Sequence, residues 1–260
     1  MLAELTLQLK SEEGDLSCYQ SSNLQGVLMS SIDSDYAATL HQQGLNPYSL
    51  CLLKSDEGTP EWHIRTLTDD AYTQIILPLM EKDFDHFTIE KKGMEVKITQ
   101  KTLRTLDNKA LLDEFYSERY ERYIPLIFRT PAAFKVNGRY WTMPDIRLIF
   151  QSLMNKYSAS SDTMEMHDEE TLNEIMQNCS IGKYHLHSTS FPMESVWIPA
   201  FAGNMVIRID GSPTMAKYAR LLCRFGEFSG VGIKTGMGMG AIQIDKSERK
   251  EGRDEKHDRS

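Results

Sequence analysis

The feature that most constrains this chain is a run of five glycines within eleven residues, at positions 230–240, which we call the glycine segment. Glycine costs backbone entropy and offers no side chain for packing, so neither a regular helix nor a well-packed strand suits this segment. Glycines suit backbone that approaches another group closely, and the N–H groups of such a loop suit phosphate oxygens. A glycine-rich turn without a ligand accounts for the same pattern.

Two common phosphate-binding loops do not fit the glycine segment. A P-loop places glycine directly before its Lys-Ser/Thr pair, whereas Lys234 and Thr235 follow Ile233. A dinucleotide fingerprint starting at Gly236 would have to open a helix, whereas the chain continues into a short strand-like run at 241–244. A nucleotide-binding metabolic enzyme remains an alternative that binding of ATP or NAD would reveal.

Charge is unevenly distributed along the 260 residues, whose formal net charge is −8. An acidic total argues against nucleic-acid binding, but residues 181–244 hold six basic and three acidic side chains. A local positive region that includes the glycine segment is enough for a compact RNA footprint, while the acidic remainder weakens non-specific binding. The distribution therefore leaves RNA binding open.

Hydropathy and cysteine usage indicate the expected location. No apolar run reaches the roughly 18 residues of a membrane span, and no signal peptide is evident at the N-terminus. The four cysteines form no C-x-x-C pair, so we expect reduced, mostly buried thiols in a cytoplasmic protein without a membrane partner. These cysteines are Cys18, Cys51, Cys179 and Cys223.

Periodicity predicts two similar halves. Alternating apolar residues predict a strand at 2–9, and apolar positions four apart predict helical residues 24–43, broken at 33–35. The remaining elements expected in the first half are strands at 48–53 and 61–67, a helix capped at 69–70 and running to 80, and a β pair at 87–98. In the second half they are strands at 123–128, 184–190, 196–209 and 241–244, and helices at 144–157, 169–177 and 214–224.

The order β-α-β-β-α-β is that of a ferredoxin-like unit. We therefore predict an α+β fold of two tandem ferredoxin-like (RRM-like) units. The first occupies residues 1–118, the second, which carries the glycine segment, occupies 119–245, and 246–260 form a charged, disordered tail.

The glycines also carry a family resemblance. Gly230, Gly232, Gly238 and Gly240 fall in the register Gly-h-Gly-x5-Gly-h-Gly, where h is apolar, and this resembles the C-terminal signature of the RAMP superfamily of CRISPR proteins. Residues 25–28, 38–41 and 47–50 resemble the N-terminal region of the sixth Cas family, whose members cut CRISPR precursor transcripts. The Thr-Pro segment at 130–134 is a softer match. Together the matches cover about residues 3–244.

The resemblance implies an endoribonuclease that cleaves CRISPR precursor RNA within its repeats without a metal or cofactor. Such cleavage needs a base for the 2′-hydroxyl, an acid for the leaving 5′-oxygen and positive charge near the phosphorane. His41 occupies the family's catalytic histidine position, and imidazole titrates near neutral pH. A histidine at a helix end that interacts only with the helix dipole is the plainer interpretation.

The second catalytic group departs from the family pattern. Family members use a helix tyrosine or a lysine just after the histidine, but Met29 stands at the first position and residues 44–46 offer no lysine. Tyr48 and Lys54 are the substitutes, because Tyr48 can donate or orient a proton if its pKa is lowered and Lys54 can stabilise phosphorane charge. A strand packing residue and a solvated lysine are the alternatives.

The expected RNA contacts lie in the second half. Lys234 within the glycine segment and Arg224 just before it are plausible phosphate contacts, and Arg129 and Lys135 flank the Thr-Pro segment. Any of these cations can equally be a solvated surface charge. The full expected RNA-binding set also includes Gly230, Gly232, Gly236, Gly238 and Gly240.

Other sites and partners complete the expectations. His185 and His187 alternate on a strand as a possible metal pair, but no third ligand is near in sequence, so we expect no metal. Expected partners are CRISPR repeat RNA and, further, other Cas proteins of an effector complex or a second copy of the chain. A non-catalytic RNA-binding RAMP subunit of an effector complex is the alternative function, since it would share the fold and the glycine segment.

Overall fold

The first sheet is antiparallel and has five strands. The computed structural model of the protein describes residues 1–42, 44–116, 120–161, 168–193 and 196–245. The strands of this sheet are β1 (Leu2–Lys10), β2 (Tyr48–Lys54), β3 (Pro60–Thr66), β4 (His86–Ile89) and β5 (Met94–Leu106). Their spatial order is β2-β3-β1-β5-β4. The four strands β2, β3, β1 and β5 take ferredoxin-like positions, and β4 adds a fifth strand at the edge.

Four helical pieces accompany this sheet and complete the first unit. They are α1 (Ser21–Ser31), α2 (Ser34–Gln42), α3 (Asp69–Ala71) and α4 (Leu77–Met80). The Asp33 carboxylate accepts the amides of Asp35 and Tyr36 at 3.0 Å, which ends α1 and starts α2. The predicted helix is therefore broken, but at Ile32 and Asp33, since Ser34 and Asp35 already belong to α2. The predicted cap at 69–70 is wrong by one residue, because Thr68 accepts the Ala71 amide, and a π-helical turn joins α3 to α4.

The second unit repeats the plan with a four-stranded sheet. Its spatial order β11-β6-β10-β9 is that of a ferredoxin-like unit, with every pairing antiparallel. The elements that follow the first sheet are α5 (Asn108–Tyr116), β6 (Tyr123–Ala132), β7 (Phe134–Val136), β8 (Arg139–Trp141), α6 (Ile146–Ser160), α7 (Glu169–Asn178), β9 (Cys179–Met193), β10 (Val196–Ile209), α8 (Pro213–Ser229) and β11 (Ile242–Ile244).

The predicted fold of two tandem ferredoxin-like units is confirmed, and the differences are local. Helix α5 and the β7–β8 hairpin are not predicted from the sequence, and β5, β6, β9 and α8 extend beyond their predicted bounds. The predicted boundary at 118–119 and the predicted disorder of 246–260 lie outside the described residues, so both stay predictions. The four cysteines are free thiols, three of them buried and Cys18 half-buried, as expected. Within the described ranges, no helix has the length and apolar character needed to cross a membrane.

The described residues form three hydrophobic clusters, and the largest, which belongs mainly to the second unit, reaches into the first unit. Leu2 and Leu67 of the first unit are buried together with residues of β6, β10, α6 and α8. At the C-terminal end of α8, the Phe228 carbonyl accepts the Ser49 hydroxyl at 2.5 Å, and the Arg104 guanidinium lies 4.9 Å from the Phe228 ring centre. The end of α8 is therefore docked on the first sheet, directly before the glycine segment begins.

Candidate functional site

His41 lies in the last turn of α2 with its side chain exposed. Ala37 and Leu40, three residues apart, are the buried positions of this helix and hold it on the first unit. His41, four residues after Ala37, is an exposed position at the end of this helix. The histidine that the resemblance identifies is thus available to a substrate.

Tyr48 opens β2 and is buried, with 1% of its surface exposed. Its ring packs against the glycine segment, since a Cβ placed on Gly236 would lie 3.2 Å from the tyrosine ring and hydroxyl. Burial raises the pKa of Tyr48 despite a hydrogen bond with Gln25. A proton-donating role for Tyr48 requires a lowered pKa, whereas burial raises it. In this structure Tyr48 packs against the glycine segment.

Lys54 ends β2 and forms an exposed ion pair with Asp15 at 3.0 Å. Exposed ion pairs contribute about 0–1 kcal/mol, so this one leaves the ammonium free to exchange partners. The role of Lys54 at the phosphorane stays a prediction.

The glycine segment connects α8 to β11, as predicted, and many of its amides already donate within the protein. Val231 and Gly240 are joined by an amide–carbonyl bond of 2.8 Å, and the Gly232 amide donates to Ser152 Oγ at 2.8 Å. The expected run of open N–H groups does not hold for these positions. The other donors of this kind in the segment are the amides of Ile233, Met237, Met239 and Gly240, whose acceptors are the carbonyls of Ala133, Lys234, Lys234 and Pro131.

The glycines allow the segment to pack closely against both units. Gly238 has φ +109°, and a Cβ there would lie 2.1 Å from Ser21 Cβ at the start of α1. Gly232, with φ +76°, lies so close to the Ala133 carbonyl oxygen that a Cβ would come within 2.2 Å of it. Only glycine fits these two positions. The segment therefore braces the two units against each other.

The predicted cations differ in what they contact. Lys234 is exposed and adopts a left-handed conformation, with φ 57°. Lys135 is also exposed, and exposed Arg129 donates to Gln243 Oε1 at 3.2 Å. Arg224 forms an ion pair with buried Glu227, so it stabilises α8. Lys234, Lys135 and Arg129 are the cations of the set that face solvent.

Two side chains that contact the glycine segment are not predicted as site residues from the sequence. Lys156 of α6 is 7% exposed, and its Nζ donates to the carbonyls of Ser229 and Gly230 and to Thr235 Oγ1. Burial lowers the pKa of Lys156 to about 7. Ser152 lies one turn earlier and accepts the Gly232 amide. The available signal was a lysine inside the apolar stripe of α6, three residues after Leu153.

The histidine pair considered as a metal site lies on β9 with both side chains exposed. His185 and His187 pair with Asn204 and Ala202 of β10. Across the ranges that the structure describes, no group of three or more metal-ligating side chains is found.

The chain thus combines two ferredoxin-like units, a glycine segment between α8 and β11 of the second unit, and an exposed histidine in the last turn of α2. The family model for "CRISPR-associated endoribonuclease Cas6" matches residues 126–242. A protein of that name from Streptococcus thermophilus is 36% identical over 227 residues, which are 87% of this chain and 90% of that protein. Another from Mycobacterium tuberculosis is 38% identical over 222 residues, or 85% of this chain and 70% of that protein.

The chain therefore belongs to the Cas6 family of CRISPR-associated endoribonucleases. A Thermus thermophilus Cas6 solved as a product complex has a TM-score of 0.76 at 22% identity, covering 94% of this chain and 99% of that chain. This likeness supports the tandem ferredoxin-like fold along almost the whole chain.

Proposed function

We propose that this endoribonuclease cleaves CRISPR precursor RNA within its repeats by a metal-independent transesterification, with His41 as the general acid or base. The 2′-hydroxyl attacks the adjacent phosphorus, the bond to the 5′-oxygen breaks, and the products carry a 2′,3′-cyclic phosphate and a 5′-hydroxyl. The observation that carries the proposal is the exposed His41 at the end of α2, in a chain of the Cas6 family.

The neighbourhood of His41 supports this assignment. The elements on either side of α2 in the chain, α1 and β2, both contact the 3-10 turn Thr235–Met237 of the glycine segment. Lys54 at the far end of β2 supplies a cation that an exposed ion pair holds weakly. In this proposal His41 transfers a proton and Lys54 stabilises charge on the phosphorane. Tyr48 supports Gly236 from below.

RNA contacts are assigned to the exposed cations of the second unit. Lys234, Lys135 and Arg129 supply phosphate contacts, and the glycines Gly230, Gly232, Gly236, Gly238 and Gly240 let the backbone of the segment approach the RNA. Arg224 acts through its ion pair with Glu227 rather than as an open cation. Repeat RNA would be recognised by stem shape and by single-stranded bases.

The test compares His41→Ala with His86→Ala on labelled repeat RNA in EDTA. His86 is a suitable control because it is an exposed histidine on β4, paired with Asp85 at 2.6 Å and distant in sequence from α2. We expect His41→Ala to bind repeat RNA normally and to lose cleavage by about 100-fold or more. We expect His86→Ala to cut like the wild type.

The other outcomes decide between the alternatives. Normal cleavage by His41→Ala would overturn the assignment of His41. RNA binding by the wild-type protein without any cleavage would favour the non-catalytic RAMP subunit. Cleavage that needs a divalent ion would contradict the metal-free mechanism.

Assembly and location belong to the same proposal. We infer a cytoplasmic protein that works alone, as a homodimer or with other Cas proteins of an effector complex. A homodimer is supported by β9, an outer strand of its sheet that carries exposed Tyr184, because unpaired strand edges favour association. Light scattering coupled to size-exclusion chromatography measures the mass directly.

A further inference from the structure

Two polar side chains of α6 face the glycine segment from below. Ser152 and Lys156 are four residues apart, which places them on the same face of the helix. Ser152 Oγ accepts the Gly232 amide at 2.8 Å. Lys156 Nζ lies 3.2 Å from the Ser229 carbonyl and 3.1 Å from both the Gly230 carbonyl and Thr235 Oγ1. One face of α6 therefore binds the backbone where the segment begins, at Ser229 and Gly230, and again further along, at Gly232 and Thr235.

The charge of Lys156 is costly at this position. The side chain is 7% exposed, and among the residues that the structure describes no carboxylate forms an ion pair with it. Buried charges without a partner destabilise a protein, and a methionine would fill a similar volume without this cost. Packing alone does not explain a lysine here, so we attribute its presence to the hydrogen bonds that it donates to the end of α8 and to the glycine segment.

Those bonds restrain the backbone on either side of Lys234. The Ser229 and Gly230 carbonyls end α8, where the helix dipole is negative and favours a cation. Thr235 begins the 3-10 turn directly after Lys234. Lys156 thus connects the start of the segment to the turn that carries the exposed Lys234, whose left-handed φ of 57° needs such restraint.

We propose that Lys156 is a positioning residue for RNA binding, whose ammonium holds the glycine segment so that Lys234 faces the RNA backbone. The proposal rests on the proposed function in assigning Lys234 to a phosphate. Lys156 itself touches no RNA, and it acts through the carbonyls and the hydroxyl that it binds.

A double-mutant cycle tests this role. Lys156→Met, Lys234→Ala and the double variant are compared with the wild type for the Kd of repeat RNA carrying a 2′-deoxy group at the cleavage site. We expect Lys234→Ala to weaken binding about 3- to 10-fold in the wild type and to have almost no further effect in Lys156→Met, because coupled residues are not additive. Lys92→Met, an exposed lysine in the β4–β5 turn, is the charge-matched control and should leave the Lys234→Ala effect intact.

Equal effects of Lys234→Ala in both backgrounds would overturn the proposal. All Kd values are measured well below the unfolding temperature of each variant, so that every protein is folded. A general loss of stability would then leave the effect of Lys234→Ala on the Kd unchanged. If Lys156→Met does not fold, Thr235→Val supplies the same cycle, because it removes the hydroxyl acceptor without touching the buried charge. The same two outcomes then apply.

The binding measurement is independent of catalysis. An intact coupling in a protein that does not cut repeat RNA would overturn the proposed function and support the role of Lys156. Cleavage by the wild type, together with additive effects of the two substitutions on the Kd, would support the proposed function and overturn the role of Lys156.

Discussion

At the scale of single residues, burial decides which chemistry a side chain can carry. His41 in α2 and Lys54 at the end of β2 have exposed side chains, whereas Tyr48, between them in sequence, is buried against Gly236. A group that transfers a proton to or from RNA needs access to it, and burial raises the pKa of Tyr48. Exposure therefore favours His41 over Tyr48 as the group that touches the substrate.

Tyr48→Phe tests this division of roles. Phenylalanine fills the same space beside Gly236, so we expect single-turnover cleavage within about 3-fold of the wild type, compared with the loss of about 100-fold or more that removal of a proton-transfer group causes. The His41→Ala protein marks the lower limit in the same assay. A large loss in Tyr48→Phe with normal RNA affinity would restore Tyr48 to the catalytic groups.

The residue scale also shows what the sequence can predict of the site. A helix that carries His41 near its end follows from the apolar spacing, and the structure gives this histidine an exposed position. The role of Lys156 does not follow, because its acceptors Ser229, Gly230 and Thr235 lie more than 70 positions away in the chain. Contacts between residues so far apart in the chain produce no periodic pattern in the sequence.

At the scale of elements, the glycine segment has a packing function that its composition does not reveal. Composition predicts open backbone, but the segment is closed on itself and pressed onto α1 and β2. Gly236 and Gly238 are the points of closest approach to the first unit.

Gly238→Ala should therefore loosen the two units. The new Cβ would lie 2.1 Å from Ser21 Cβ at a φ of +109°, so we expect a loss of about 1–3 kcal/mol in the free energy of unfolding, measured in urea. Gly26→Ala in α1 is the matched control. Its Cβ meets nothing within 4 Å, and alanine stabilises a helix by up to about 1 kcal/mol over glycine. Similar stabilities of the two variants would contradict the close packing.

Element types were predictable where the apolar period is regular, and the errors have local causes. The strand β6 was predicted to end at Phe128 but continues to Ala132, through Pro131. A proline has no N–H for a ladder, yet Pro131 lies at the irregularity between the pairs Gly203–Phe128 and Phe201–Ala132, where that bond is not needed. Such irregularities depend on the partner strand.

At the scale of the whole molecule, a group of charged side chains on the first sheet contacts the end of α8. Glu4 binds Arg65 at 2.6 Å and Arg104 at 2.9 Å, and Arg104 also covers the ring of Phe228. Burial by itself raises the pKa of Glu4, but Arg65, His63 and Arg104 together hold this pKa well below its ordinary value of 4.5. The Glu4 carboxylate thus links the sheet to the end of α8.

Glu4→Gln should destabilise the protein by about 3–5 kcal/mol at pH 7, because buried Arg65 loses its anionic partner. Since the folded pKa is lowered, the stabilisation is complete above about pH 4.5 and is lost as the pH falls below it. Urea unfolding at pH 7 and pH 4 should show a smaller loss on acidification in Glu4→Gln than in the wild type. Exposed Glu57→Gln serves as the control, and an unchanged pH dependence in Glu4→Gln would contradict this account.

The overall plan was predictable because the order of elements repeats, and a repeated β-α-β-β-α-β order has few packing solutions. The way the units dock was not. It depends on single contacts such as Ser49 with Phe228 and Gly238 with Ser21, which join distant positions through backbone geometry.

The bracing by the glycine segment limits how this protein can adapt to a new repeat. Substitutions of its closely packed glycines disturb the contacts that align the two units, so they reduce stability whatever their effect on RNA. Exposed side chains of the β7–β8 hairpin, among them Lys135, Arg139 and Tyr140, bear no such penalty. Efforts to retarget the enzyme should therefore diversify that hairpin and leave the glycines unaltered.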